Sequence, residues 1–142
     1  MSRRRSPSRT RTALAGGLLA ALLLAGCAPT PSPDPALVKL SQSALSYTRS
    51  ALLGVDQQND GRIFSTTTTA LLGDMEAKLG DLTREVALHR PADAEDAAYR
   101  TDLLDASLAS LDAVQAAARG VSDAEHRLED AADTLEKLGQ AG

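Results

Sequence analysis

Aromatic residues are almost missing from this chain of 142 residues: one phenylalanine, two tyrosines and no tryptophan. Flat ligands and sugars are held by stacking on aromatic faces, so the composition argues against such a platform. Cysteine occurs once, at Cys27, and no intrachain disulfide can form. The two histidines, His89 and His126, belong to no E-x-x-H pair, which removes the ligand pattern of a di-iron bundle. No G-x-S-x-G, P-loop or G-x-G-x-x-G is present. Strand formers are few, with five valines and one isoleucine. These absences leave no nucleophile, base or phosphate cradle, so we expect no enzyme and no cofactor.

The net charge of -4 conceals a division. Residues 1–26 hold five arginines and no acid, hence +5, whereas residues 27–142 hold ten bases and all nineteen acids, hence -9. An acidic body does not supply the clustered Lys and Arg that phosphate contacts require, which argues against nucleic acid as a partner.

Residues 1–11, MSRRRSPSRTR, are a basic leader, and residues 13–26, ALAGGLLAALLLAG, are an apolar run. The run is shorter than the roughly twenty residues of a spanning helix and has the length and flanks of a secretory signal peptide. It ends in Leu24-Ala25-Gly26-Cys27, which resembles the lipobox of bacterial lipoproteins. The resemblance covers residues 1–28. It implies cleavage between Gly26 and Cys27, a diacylglyceryl group on the Cys27 thiol, and attachment to a membrane through that lipid. A lone cysteine at the cut site agrees with this. Two or three acyl chains anchor a protein stably, where one is marginal. Ser2-Arg3-Arg4 hints at twin-arginine export, but Arg5, Ser6 and Pro7 follow in place of an apolar pair.

Residues 27–35 form a tether, with prolines alternating at 29, 31, 33 and 35. Eight residues of polyproline II span about 25 Å. Residues 36–142 then read as four amphipathic helices, an all-α, antiparallel up-and-down four-helix bundle; three long helices with a short, loosely docked fourth is the alternative. Asp34 and Pro35 suit the start of the first helix, which should stop near Gln57. Its apolar face includes Leu37, Leu40, Ala44 and Ala51. The second helix has a three-four seam of Leu72, Met75, Leu79, Leu82 and Val86, preceded by the hydroxyls of Thr66 to Thr69. Gly73, Gly80 and Ala87 form a small-residue stripe beside it, which suggests close approach of a neighbour. Pro91 opens the third helix, expected to bury Leu104, Leu108, Leu111, Val114 and Ala118 and to end at Gly120. Ser122 and Glu125 have capping-box spacing for the fourth, which carries Leu128, Ala131, Leu135 and Leu138 and should close at Lys137 and Gly139.

Three groups of polar residues are candidates for chemistry. Residues 56–67 resemble part of a calcium-binding EF-hand loop. Asp56 stands at position one, Asp60 at five, Gly61 at six and Ile63 at eight. Gln58 at position three and Thr67 at position twelve depart from the pattern, so Asp56, Gln58 and Asp60 are weak metal candidates, and a polar turn is the plainer reading. Glu85 with His89, and His126 with Asp123 and Asp130, bring imidazoles near carboxylates. Acidic stripes run along the third helix (Glu95, Asp102, Asp105, Asp112) and the fourth (Glu125, Glu129, Asp133, Glu136). Solvated helix faces explain them most simply.

The expectation is a non-enzymatic, lipid-anchored protein of the bacterial cell envelope that works through contact with an envelope protein partner. A bundle that binds a cation or small ligand at residues 56–67 or on its acidic faces is the alternative. Arginine outnumbers lysine twelve to three, which suits a GC-rich host. Ala28 is not the aspartate that retains many lipoproteins in the inner membrane. The resemblance thus implies the outer membrane, facing the periplasm, in a Gram-negative cell, and the cell membrane in a Gram-positive one.

Overall fold

The computed structural model describes residues 32–141. The signal segment, the Gly26–Cys27 cleavage and lipidation site and the tether as far as residue 31 lie outside the described residues. Four helices follow in order: α1 (Pro35–Asn59), α2 (Ser65–Leu88), α3 (Ala94–Ala118) and α4 (Ala124–Ala141). There is no strand among the described residues. The connections, residues 60–64, 89–93 and 119–123, are short enough to force each helix back along its predecessor. Neighbours pack in ring order, α1 on α2, α2 on α3, α3 on α4 and α4 on α1, so the chain is an up-and-down four-helix bundle. The long helices extend about 37 Å, at about 1.5 Å per residue.

Local chemistry sets the ends. Asp34 caps α1 by accepting the Ala36 N–H at 2.8 Å, and Pro35 occupies the first turn. Asp93 caps α3 through the Asp96 N–H at 2.9 Å. Both α1 and α3 stop in a Schellman motif. Gly61 and Gly120 each adopt φ of 70°, which glycine takes without a Cβ penalty. The Arg62 N–H then returns to the Gln57 carbonyl, and the Val121 N–H to that of Ala116. Several boundaries differ from expectation. α1 continues to Asn59. Thr66 to Thr69 lie inside α2, whose cap residue, Phe64, makes no side-chain cap bond. Gly139 lies within α4 and does not end it.

The core is built differently on the two diagonals. The buried seam of α2 is the expected one, Leu72, Met75, Leu79, Leu82 and Val86, and α4 contributes Leu128 and Leu135. α1 buries Leu37, but below it Ser41, Ala44, Thr48, Ala51 and Gly54. α3 buries Tyr99 and Leu103, then Ala106, Ser107, Ser110, Ala113 and Val114. Small side chains on both let α1 and α3 touch across the bundle, whereas α2 and α4 do not meet. The cross-section is a rhombus, short between α1 and α3 and leucine-filled along the other diagonal. α4 packs along both α1 and α3 with Leu128 and Leu135 fully buried, so the fourth helix is an integral member and not a loose addition.

Two expectations about faces are corrected. In α3 the buried face is turned from the expected one: Leu108 is exposed and Leu104 and Leu111 are only half-buried, while Leu103 is buried. The Gly73, Gly80 and Ala87 stripe makes no close approach, since a Cβ at either glycine meets nothing within 4 Å. The glycine that does sit against a neighbour is Gly54, where a Cβ would lie 2.5 Å from Leu71 Cδ2.

Candidate functional site

The chemistry of the bundle is concentrated at its poles. At the pole where α1 begins, the last tether residues are held against the body. Pro33 is buried. The Asp34 N–H donates to Asp96 Oδ1 at 2.7 Å, and the Ala92 N–H donates to Asp96 Oδ2 at 3.2 Å. Asp96 is 5% exposed, so one buried carboxylate joins the tether root, the α2–α3 turn and the first turn of α3. His89, which ends α2, places Nε2 3.3 Å from Asp34 Oδ2, within ion-pair distance but without hydrogen-bond geometry. Arg100 closes the cluster by donating Nη1 to the carbonyls of Ala87, at 3.3 Å, and His89, at 3.1 Å. A cation at those carbonyls also suits the negative end of α2. Deeper in, the Tyr99 hydroxyl donates to Ser41 Oγ at 3.1 Å.

The opposite pole carries the α1–α2 and α3–α4 connections. Phe64, the only phenylalanine in the chain, is 82% exposed there, and Val121 is 39% exposed. Val121 also borders an open cavity of about 400 Å3. Its walls are apolar at Val55, Leu72 and Ala117 and polar at Gln58, Asn59, Ser65, Thr69 and Ser122. Thr68 lines it too, 3% exposed, with a hydroxyl that has no hydrogen-bond partner. Glu125 does not form the expected capping box with Ser122. Its carboxylate accepts from Asn59 Nδ2 at 2.8 Å and ties α4 to α1.

The sequence-level cation site does not assemble. Asp56 and Gln58 belong to α1 and are not loop residues. Asp60 is paired with Arg62 at 3.2 Å, and Thr67 is on α2. An EF-hand wraps a twelve-residue loop around its ion, whereas only residues 60–64 are unwound here. Among the described residues no three His, Cys, Asp or Glu side chains stand close enough to hold a metal ion together.

The acidic stripes lie toward solvent, as ties and surface charge. Glu136 pairs with Arg49 at 2.7 Å, joining α4 to α1. Asp112 pairs with Arg127, joining α3 to α4. Glu76 accepts from Gln115 Nε2 at 2.8 Å, joining α2 to α3. His126 is exposed, 3.6 Å from Glu129 and 3.5 Å from Asp130. On the α1–α2 side, Lys78 lies 5.7 Å from the Tyr47 ring centroid. Its hydrogen bond to Asp74 raises its pKa above the usual 10.5; desolvation opposes this, and the charge of Asp74 adds to it.

Sequence reasoning missed the buried role of Asp96, the packing of Gly54, the small-on-small contact of α1 with α3, and the exposure of Phe64. Asp93-x-x-Asp96 at a helix start was the one available signal, because that spacing suits reciprocal capping.

Fold and site together define a class, an all-α four-helix bundle with a clasped root at one pole and an open, partly apolar tip at the other. No family model, curated protein sequence or solved structure matches the chain. None of the described helices is long and apolar enough to cross a membrane.

Proposed function

We propose that this chain is a lipid-anchored protein of the bacterial cell envelope that acts without catalysis, by contact between its helical bundle and another envelope protein. The anchor is the diacylglyceryl-modified Cys27. Depending on the host, the protein sits on the cell membrane or on the outer membrane facing the periplasm. One observation carries the contact reading: the root of the tether is packed into one pole, while the sole phenylalanine stands exposed at the other. Because Pro33 and Asp34 are part of the bundle, only residues 28–32 separate the lipid from it. The -9 body repels anionic lipid headgroups, so the lipid and not surface charge retains the protein.

Fatty-acid labelling of wild type and Cys27→Ala tests the anchor. Wild type incorporates label and stays with membranes, and the variant loses both. Equal retention with no label on either protein rejects it. A photo-crosslinking residue at position 64, with position 108 on the side of α3 as control, tests the contact. A single adduct from 64 that is absent from 108 is expected in intact cells, and equal yields from both positions reject the tip as the contact. The cavity beside the tip favours a second reading, a small uncharged ligand, since its only charged wall residue, Glu125, is already engaged by Asn59.

A further inference from the structure

Resting on the uncharged-ligand reading of the cavity at the open pole, we infer that its ligand is a small neutral aliphatic amide, and that the Thr68 hydroxyl is the anchor that donates to the amide carbonyl.

A local conflict in α2 frees the anchor. A helical threonine commonly donates its hydroxyl to the carbonyl four residues back, as Thr69 does to Ser65 at 2.9 Å. For Thr68 that carbonyl belongs to Phe64. It already accepts the N–H groups of Thr67, at 2.9 Å, and of Thr68 itself, at 3.2 Å. A carbonyl oxygen has two lone pairs, and both are engaged. Thr68 stands in the cavity wall, 3% exposed, and its hydroxyl has no partner within the fold. A buried hydroxyl in that position gains a hydrogen bond from any acceptor that reaches it.

The surroundings of Thr68 select the ligand. Ser65 and Ala124, the first residues of α2 and α4, both line the cavity, so the positive ends of two helices meet there. The start of α2 has no side-chain cap to offset its end. These ends favour an acceptor atom on the ligand and oppose a cation. A carboxylate or phosphate is opposed in turn, because Glu125 stands in the same wall and the body carries -9. A neutral carbonyl meets both conditions. Asn59 narrows the choice to an amide: its Nδ2 donates to Glu125 at 2.8 Å, which leaves its side-chain oxygen to accept a ligand N–H. Val55, Leu72 and Ala117 offer an apolar wall to a short aliphatic group. The volume of about 400 Å3 is at the small end of the roughly 300–1,000 Å3 typical of ligand pockets.

Isobutyramide is the probe, with isobutyrate as its anionic isostere and glycerol as a neutral polyol. In amide NMR spectra of the full chain in detergent, isobutyramide should shift the Thr68, Leu72 and Ala117 signals saturably, with the millimolar Kd of so small a ligand. Neither control should do so at the same concentrations. Thr68→Val keeps the side-chain shape without the hydroxyl and should weaken isobutyramide binding about two- to ten-fold. Thr68→Ser, which keeps the hydroxyl, should restore most of the affinity. Isobutyrate that binds as tightly as isobutyramide overturns the neutral class, and undiminished binding in Thr68→Val overturns the anchor. Glycerol that binds as well as isobutyramide or better overturns the amide but keeps the uncharged-ligand reading. Signals unmoved by all three probes defeat both.

Discussion

Replacing Ser107 and Ser110 by alanine should stabilise the bundle. Both hydroxyls are fully buried on α3 and neither has a hydrogen-bond partner. Several other helical hydroxyls return to the carbonyl four residues back, as Thr48 does to Ala44 and Thr83 to Leu79. An unsatisfied buried hydroxyl costs about 1–3 kcal/mol. Alanine adds roughly 0.5 kcal/mol of helix propensity over serine. Against this stands a void the size of one oxygen, about 0.3 kcal/mol. Each substitution should therefore raise the unfolding free energy by about 1–3 kcal/mol, and each kcal/mol moves Tm by about 4 °C in a domain of this size. The two sites are one turn apart, so the double variant is not required to be additive. Urea titration with a fixed m-value is the measurement. A gain of about 0.5 kcal/mol or less would mean that propensity alone acts and that the hydroxyls reach a carbonyl by rotating. That result, or any loss of stability, refutes the reasoning.

Asp96→Ala leaves the Asp34 and Ala92 N–H groups without their acceptor and should lower stability by about 2–4 kcal/mol; Asp96→Asn, which retains one acceptor oxygen, should lose less, and parallel urea curves decide the order. Gly73→Ala and Gly80→Ala meet only open space and should each add about 0.8–1 kcal/mol, independently because they are two turns apart; thermal melts that show a loss would mean the stripe is used for packing. The raised pKa of Lys78 has a definite sign: its contribution is present below 10.5, neutral pH included, and is lost as pH rises through the higher folded value, so Lys78→Met should lower the neutral plateau of a stability-pH curve slightly and flatten its alkaline limb.

What was legible in the sequence followed side-chain size. The α2 seam was read correctly because its large apolar residues fall on one line at three-four spacing, with charges between them. The Schellman stop at Gly120 was equally plain, because a glycine after the last periodic residue has a specific backbone use. α3 was misread for the opposite reason. Its leucines and alanines nearly encircle the helix, and Leu104, Leu108 and Leu111 imitate a seam. Which arc is buried was settled by neighbours, through Ala106, Ser107, Ser110 and Ala113, residues too small and too polar to register as apolar periodicity. The candidate site was less legible still. Asp56, Gln58 and Asp60 matched a loop pattern, yet α1 holds its helical hydrogen bonds through Asn59 and keeps the first two of these residues in the helix.

The scarcity of aromatics and the rhombic cross-section have one cause. A bundle whose four helices stand at equal distances leaves an axial space that large side chains must fill. Here α1 and α3 touch across the bundle and both bury mostly small side chains, which leaves little room for a ring between them. Tyr99 is accommodated near one pole, where its hydroxyl reaches Ser41. The same geometry limits what positions 107 and 110 accept. Alanine removes an unsatisfied hydroxyl within the available volume, whereas valine adds methyl groups to a fully buried position and should cost about 1–3 kcal/mol by overpacking. If Ser107→Val and Ser107→Ala stabilise equally in urea titration, the interior at that depth has room for larger side chains, and close packing does not set the composition of the core.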